Sequence, residues 1–208
     1  MSSQFQLPVG VKSCVYHSGK VTLFYPQVRK LVDPHVQATI NDRIYRTVTE
    51  IYRDQIQSQT GTLDEMLGNF EIKTNERGYF SIILSNYTYS YPMAHGLTLA
   101  KGLTFDTNTG NLYSLSQLFK PNSEYVKVLS KQVSAQIKDR ELPLLNGFTS
   151  IKPEQDFYLA DKALVLFFQL YDITPYYVGF PMFPISIYTL QSLVSDVSPL
   201  AKLSIDLV

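Results

Sequence analysis

Phe70-Glu71-Ile72-Lys73-Thr74, then Asn75-Glu76-Arg77-Gly78, then Tyr79-Phe80-Ser81-Ile82-Ile83-Leu84-Ser85-Asn86-Tyr87-Thr88-Tyr89-Ser90-Tyr91 reads as a β-hairpin. Both arms are rich in aromatic and β-branched residues, which suit a pleated, half-buried surface. Gly78 supplies the positive φ that a tight connector needs. Alternation in the second arm sets Phe80, Ile82 and Leu84 on one face, and Tyr79, Ile83, Tyr87, Tyr89 and Tyr91 on the other. Pro92-Met93-Ala94-His95-Gly96 breaks the strand. Residues 97–105 form the next one, with Leu97, Leu99, Leu103 and Phe105 on one side and Thr98, Ala100, Gly102 and Thr104 on the other. Asp106-Thr107-Asn108-Thr109-Gly110 is a tight turn in which the Asp106 side chain caps its own backbone.

Before the hairpin, Asp33-Pro34 is a helix start. Asp33 can accept from free N–H groups and Pro34 suits the first helical position. Val36, Ile40, Ile44, Val48 and Ile51 follow at three- and four-residue spacing, flanked by Tyr45 and Tyr52. Asn41, Asp42, Arg46, Thr49, Glu50 and Arg53 lie opposite. This predicts an amphipathic helix to about Gln57. Earlier still, residues 11–16 and 20–25 read as short strands around His17-Ser18-Gly19, ended by Pro26, which has no N–H to donate.

After the turn, residues 112–119 predict a short helical turn. A second long helix is expected over residues 123–140, with the stripe Val126, Leu129, Val133 and Ile137. Phe157-Tyr158-Leu159 and residues 163–170 predict strands, the latter so apolar that both faces should be buried, as in a central strand. Residues 172–184 hold three prolines and read as a rigid loop, residues 187–194 as a short helix. Residues 198–208 carry no clear pattern and read as an ordered tail or an added edge strand. The expected fold is α+β: a mostly antiparallel sheet packed against two long amphipathic helices plus a short C-terminal helix, with residues 1–208 as one compact unit.

Composition narrows the function classes. A chain of 208 residues buries about 70% of its unfolded surface without staples. Lys plus Arg and Asp plus Glu both number 18, which argues against nucleic acid and against a polybasic membrane contact. Cys14 stands alone, so stability rests on packing rather than on an internal disulfide. The start Met1-Ser2-Ser3-Gln4-Phe5-Gln6 has neither a basic nor an apolar region, so no signal peptide is read there, which points to the cytoplasm. The longest apolar run, residues 163–168, is too short to span a bilayer. With 15 Tyr, 12 Phe and no Trp, the aromatic usage suggests half-exposed sheet faces or a binding surface.

Three groups of motifs resemble a known family. They are Tyr91-Pro92-Met93-Ala94-His95-Gly96-Leu97-Thr98 with residues 102–110; Leu115-Ser116-Gln117-Leu118-Phe119; and Phe157-Tyr158-Leu159 with residues 164–168 and Pro175-Tyr176-Tyr177-Val178-Gly179-Phe180-Pro181. In that order they are similar to the extracytoplasmic part of RsiV-type anti-sigma factors. Residues 10–110 also resemble the domain that precedes the catalytic domain in PdaC-type peptidoglycan deacetylases, and residues 111–197 the RsiV C-terminal half. The resemblance implies a non-enzymatic binding module with no cofactor. It implies a lysozyme-like protein or a peptidoglycan-type glycan as partner, and an extracytoplasmic location.

Candidate chemistry is sparse. His17, His35 and His95 form no metal-ligand spacing, and no Gly-x-Ser-x-Gly elbow occurs. His95 is expected to satisfy a backbone carbonyl; a triad with Ser85 or Ser90 is the rival reading. Asp64 with Glu65, and Asp161 with Asp172, are carboxylate pairs of a kind common on solvated loops. The Tyr87, Tyr89, Tyr91 row reads either as a face covered by a helix or as an aromatic platform. The expected ligand-binding residues are Ser90, Tyr91, His95, Pro175, Tyr176 and Tyr177, on two rigid loops at one end of the molecule. A cell-envelope hydrolase with unidentified carboxylates and a cytoplasmic structural or spore-associated protein are the rival functions.

Overall fold

A computed structural model describes residues 8–204. Residues 1–7, on which the signal-peptide reading rests, and the tail end 205–208 lie outside the described residues. The chain divides into two compact units, Met1–Leu112 and Tyr113–Val208.

The first unit is a five-stranded sheet with one long helix on one face. Its elements are β1 (Gly10–Ser18), β2 (Val21–Arg29), α1 (Pro34–Ser58), β3 (Thr62–Glu76), β4 (Tyr79–Tyr91) and β5 (Leu97–Asp106), and the strands lie in sequence order. All neighbours are antiparallel except β2 and β3, which run parallel because α1 carries the chain back across the sheet. α1 starts as expected: Asp33 Oδ1 accepts from the His35 N–H at 2.7 Å, and Pro34 follows. Val36, Ile40, Ile44 and Ile51 are buried against Val28, Phe80, Ile82, Leu84, Leu103 and Phe105. The Arg77-Gly78 connector has φ of 52° and 82°, the left-handed pair of a two-residue hairpin turn. Asp106 caps its turn, with Oδ1 accepting from Asn108 N–H at 2.7 Å and Thr109 N–H at 3.0 Å.

Two expectations in this unit are corrected. Pro26 does not end β2. It pairs with Ser13, beyond Leu23 where the β3 pairing stops, so β2 has only one neighbour there and the missing N–H costs little. β3 extends eight residues further toward the N-terminus than residues 70–74 suggest, starting at Thr62. Irregularities between Leu63 and Glu65, and between Ile72 and Thr74, break its alternation.

The second unit holds α2 (Tyr125–Asp139), a three-stranded antiparallel sheet of β6 (Phe157–Ala160), β7 (Ala163–Phe167) and β8 (Met182–Ser186), and α3 (Pro199–Leu203). β7 is central and Leu164, Val165, Leu166 and Phe167 are buried, as expected. α2 buries Leu129, Val133 and Ile137. It ends in paired bonds from Glu141 N–H to Lys138 carbonyl and from Leu142 N–H to Ile137 carbonyl, with Glu141 at φ 49°.

Here too the structure departs from expectation. The strands form two sheets, one in each unit, rather than one. Part of the supposed rigid loop is β8. Pro184 sits on its free edge, where carbonyls rather than N–H groups are satisfied: Gln136 Nε2 donates to the Pro184 carbonyl at 2.9 Å, and Arg140 Nη1 to that of Met182 at 2.8 Å. The tail begins as a short helix, α3, with Pro199 at its first position, not as an edge strand.

Candidate functional site

Parity in β4 decides which side chains reach the surface. Phe80, Ile82 and Leu84 pack under α1, and further along the same face Asn86, Thr88 and Ser90 are buried. Gln55 of α1 reaches that face, its Nε2 donating to the carbonyls of Asn86 at 2.6 Å and Leu97 at 2.9 Å. Ser90 is therefore an interior residue and not a surface contact. Tyr87, Tyr89 and Tyr91 point the other way, so α1 does not cover them. Tyr87 pairs across the sheet with Leu67 and Thr98, and Tyr89 with Glu65. The Gly96 backbone lies so close to the Tyr87 ring that a Cβ there would overlap it. Tyr91, at the strand end, is 69% exposed.

The bend after Tyr91 is tied at both ends. Met93 N–H donates to the Ser90 carbonyl at 2.9 Å. His95 Nδ1 donates to the Gly96 carbonyl at the same distance, the backbone role expected for it. Gly61 lies against the Tyr91 carbonyl, where its φ of 91° and lack of a Cβ permit the approach.

In the second unit, Pro175, Tyr176 and Tyr177 lie on a loop between β7 and β8. A 3-10 turn spans Tyr176–Val178, with Val178 N–H donating to Pro175 carbonyl at 3.1 Å and Gly179 N–H to Tyr176 carbonyl at 3.0 Å. Gly179 leaves the turn at φ 75°. The loop base is pinned by Leu145 N–H donating to the Ile173 carbonyl, and by Gln169 N–H donating to Asp172 Oδ2. Tyr176 stacks on Tyr171 with ring centroids 5.6 Å apart. Tyr176 is thus half-buried against another surface ring instead of plugging the core. Tyr177 projects with 79% of its surface exposed, among the largest apolar exposures of the described residues. The loop presents one aromatic side chain on a hydrogen-bonded frame.

The carboxylate pairs serve local roles. Asp64 is in an exposed ion pair with Lys20 at 3.4 Å. Asp161 occupies the left-handed position of the β6–β7 turn at φ 50°, and Asp172 closes the loop just described. Among the described residues no three His, Cys, Asp or Glu side chains gather as a metal site. No helix among them is long and apolar enough to cross a membrane. The sequence reading missed a further aromatic group, Tyr16, Tyr25, Tyr45 and Tyr52, because three elements contribute to it.

The described geometry has counterparts. Residues 116–188 match the family described as "Protein of unknown function (DUF3298)". The Anti-sigma-V factor RsiV of Bacillus subtilis (strain 168) is 26% identical over 184 residues, covering 81% of this chain and 63% of that protein. The chain thus spans under two thirds of that relative's length. A DUF3298 family member from Bacteroides fragilis superposes with a TM-score of 0.70 at 13% identity, covering 94% of this chain and 97% of the other. One from Pseudomonas aeruginosa PAO1 gives 0.69 at 16% identity, covering 90% and 95%. The expected likeness to RsiV-type proteins therefore holds: residues 116–188 match the DUF3298 family, and the chain is similar in sequence to the anti-sigma factor RsiV.

Proposed function

We propose that this chain is a non-enzymatic binding module that captures a protein ligand on exposed, stiffly held aromatic loops. The observation that carries the reading is the exposure of Tyr177 on a loop whose backbone is fixed by its own hydrogen bonds. A preordered aromatic anchor loses little conformational entropy on docking, and tyrosine is enriched among the residues that dominate binding energy. Pro175 and Tyr176 frame that anchor, and Tyr91 and His95 present a second exposed bend. The similarity to RsiV supports a sensor-type module. For RsiV-type sensors the implied ligand is lysozyme, which makes lysozyme the first protein to test. The likeness of the first half to PdaC-type domains, and an envelope location, belong to the same reading.

The test is capture of lysozyme by the immobilised chain, followed by titration calorimetry. Retention that Tyr177→Ala abolishes, with a cost of about 2 kcal/mol or more and an unchanged melting temperature, supports the reading. No retention by the unmodified chain removes this ligand. A Tyr177→Ala protein that unfolds would assign the side chain to the core instead.

A further inference from the structure

Four tyrosines gathered in the first unit play no part in that reading. Tyr16 comes from β1, Tyr25 from β2, and Tyr45 and Tyr52 from α1. With Leu23, Val48 and Thr49 they line a half-open cup of about 190 Å³. Its floor is firm: Leu23 is buried with Val21 and Met66, and Val48 and Tyr52 pack against that cluster. The rings of Tyr25 and Tyr45 meet at 5.9 Å with their planes 59° apart. Tyr16 and Tyr45 nevertheless keep 50% and 55% of their surface exposed. Burial holds the Tyr25 hydroxyl protonated beyond the ordinary tyrosine range, and Cys14 and Tyr45 add to the effect. The Thr49 hydroxyl donates back to the Tyr45 carbonyl at 2.9 Å, so the phenol groups supply the cup's outward polarity.

Three properties select the ligand. Among the described residues no charged side chain lines the cup, so an ion would be desolvated there without a counter-charge. The walls combine ring faces with phenol hydroxyls, each able to donate and to accept. A sugar ring is complementary to that pattern, with C–H faces that stack on aromatic rings and hydroxyls around its edge. The space is a single cup, with room for one ring. Proline-rich segments instead occupy extended aromatic-lined grooves.

We propose that this tyrosine cup is a saccharide subsite that takes one neutral pyranose ring of a glycan. It is independent of the Tyr177 loop, which belongs to the other unit, and the two readings can fail separately.

The experiment titrates the full chain with the neutral probes cellotetraose and N-acetylchitotetraose. Because the chain has no Trp, its ultraviolet emission comes from its 15 tyrosines, and the Tyr16 and Tyr45 variants assign to the cup the part of the signal that arises there. A saturable change is expected with at least one probe. Tyr16→Ala and Tyr45→Ala should each weaken it about tenfold, equivalent to about 1.4 kcal/mol. Tyr177→Ala should leave it unchanged. Tyr45→Phe, which keeps the ring, should bind more tightly than Tyr45→Ala and guards against an alanine variant that fails to fold. The proposal is overturned if neither sugar gives a saturable response at millimolar concentration. It is also overturned if folded Tyr16→Ala and Tyr45→Ala proteins bind as well as the unmodified chain. Saturation by a proline-rich peptide or by tetramethylammonium, with none by the sugars, would assign the cup to another ligand class.

Discussion

Tyr25 shows how one side chain can report on its surroundings. Burial raises its pKa above the usual value of about 10, and the Cys14 thiol and the Tyr45 hydroxyl push in the same direction. The folded chain therefore holds this proton more tightly than the unfolded chain does. By linkage, the contribution to stability is fully present below pH of about 10 and is lost as the pH rises through the raised folded value. Tyr25→Phe has no proton to lose. Its melting temperature should fall less steeply than that of the unmodified chain above pH of about 10. Parallel slopes from thermal melts across the alkaline range would show that Tyr25 ionises freely in the folded chain.

At the level of elements, α1 and its sheet rest on the apolar stripe, and Ile44 is fully buried within it. Ile44→Ala should cost about 2–5 kcal/mol, because a cavity would open where α1 meets the sheet. An unchanged denaturation midpoint would mean that this stripe is not the core. Gly61, between α1 and β3, tests the other end of the element. Its φ of 91° and its contact with the Tyr91 carbonyl leave no room for a methyl group. Gly61→Ala should destabilise by about 1–3 kcal/mol, and equal stability by urea titration would refute that close approach.

These elements also show what the sequence can and cannot disclose. α1 was legible because Val36, Ile40, Ile44 and Ile51 keep one period and Asp33-Pro34 marks the start. β7 was legible because its apolar run needs cover on both faces. The first half of β3 was hidden, since its irregularities shift which residues face α1 and Gly68 leaves a gap in the pattern. β8 was hidden by Pro184, which is tolerated because β8 is an edge strand and the missing N–H lies on its free side, where only carbonyls are bonded, by Gln136 and Arg140. The same division applies to the candidate site. The stiffness of the Tyr177 loop could be read from Pro175 and Pro181, which flank it in sequence. Burial of Ser90 follows from its parity with Phe80 in β4, yet adjacency to Tyr89 and Tyr91 suggested exposure. The cup of Tyr16, Tyr25, Tyr45 and Tyr52 could not be read, because it depends on how the hairpin lies against α1.

For the whole molecule, stability should come from apolar packing rather than from charge, disulfide or metal. Cys14 has no second cysteine to pair with, and positive and negative side chains balance at 18 each. Ion pairs such as Lys20–Asp64 at 3.4 Å, Arg46–Asp42 at 2.8 Å and Lys127–Glu124 at 3.1 Å lie mostly in solvent. Pairs of this kind contribute at most about 1 kcal/mol each and weaken as salt shortens the screening length. By contrast, Phe80 and Phe105 in the first unit, and Phe167 and Phe183 in the second, are completely buried. Raising sodium chloride from about 0.1 M to about 1 M cuts the screening length from about 10 Å to about 3 Å. The melting temperature should then move by less than about 4 °C, the shift that corresponds to roughly 1 kcal/mol in a chain of this size. Adding a chelator should move it no further, since no cluster of ligands gathers among the described residues. A fall of tens of degrees in salt would show that charge pairing holds the fold. The same fall with chelator alone would show that a metal is bound by an arrangement outside the one described.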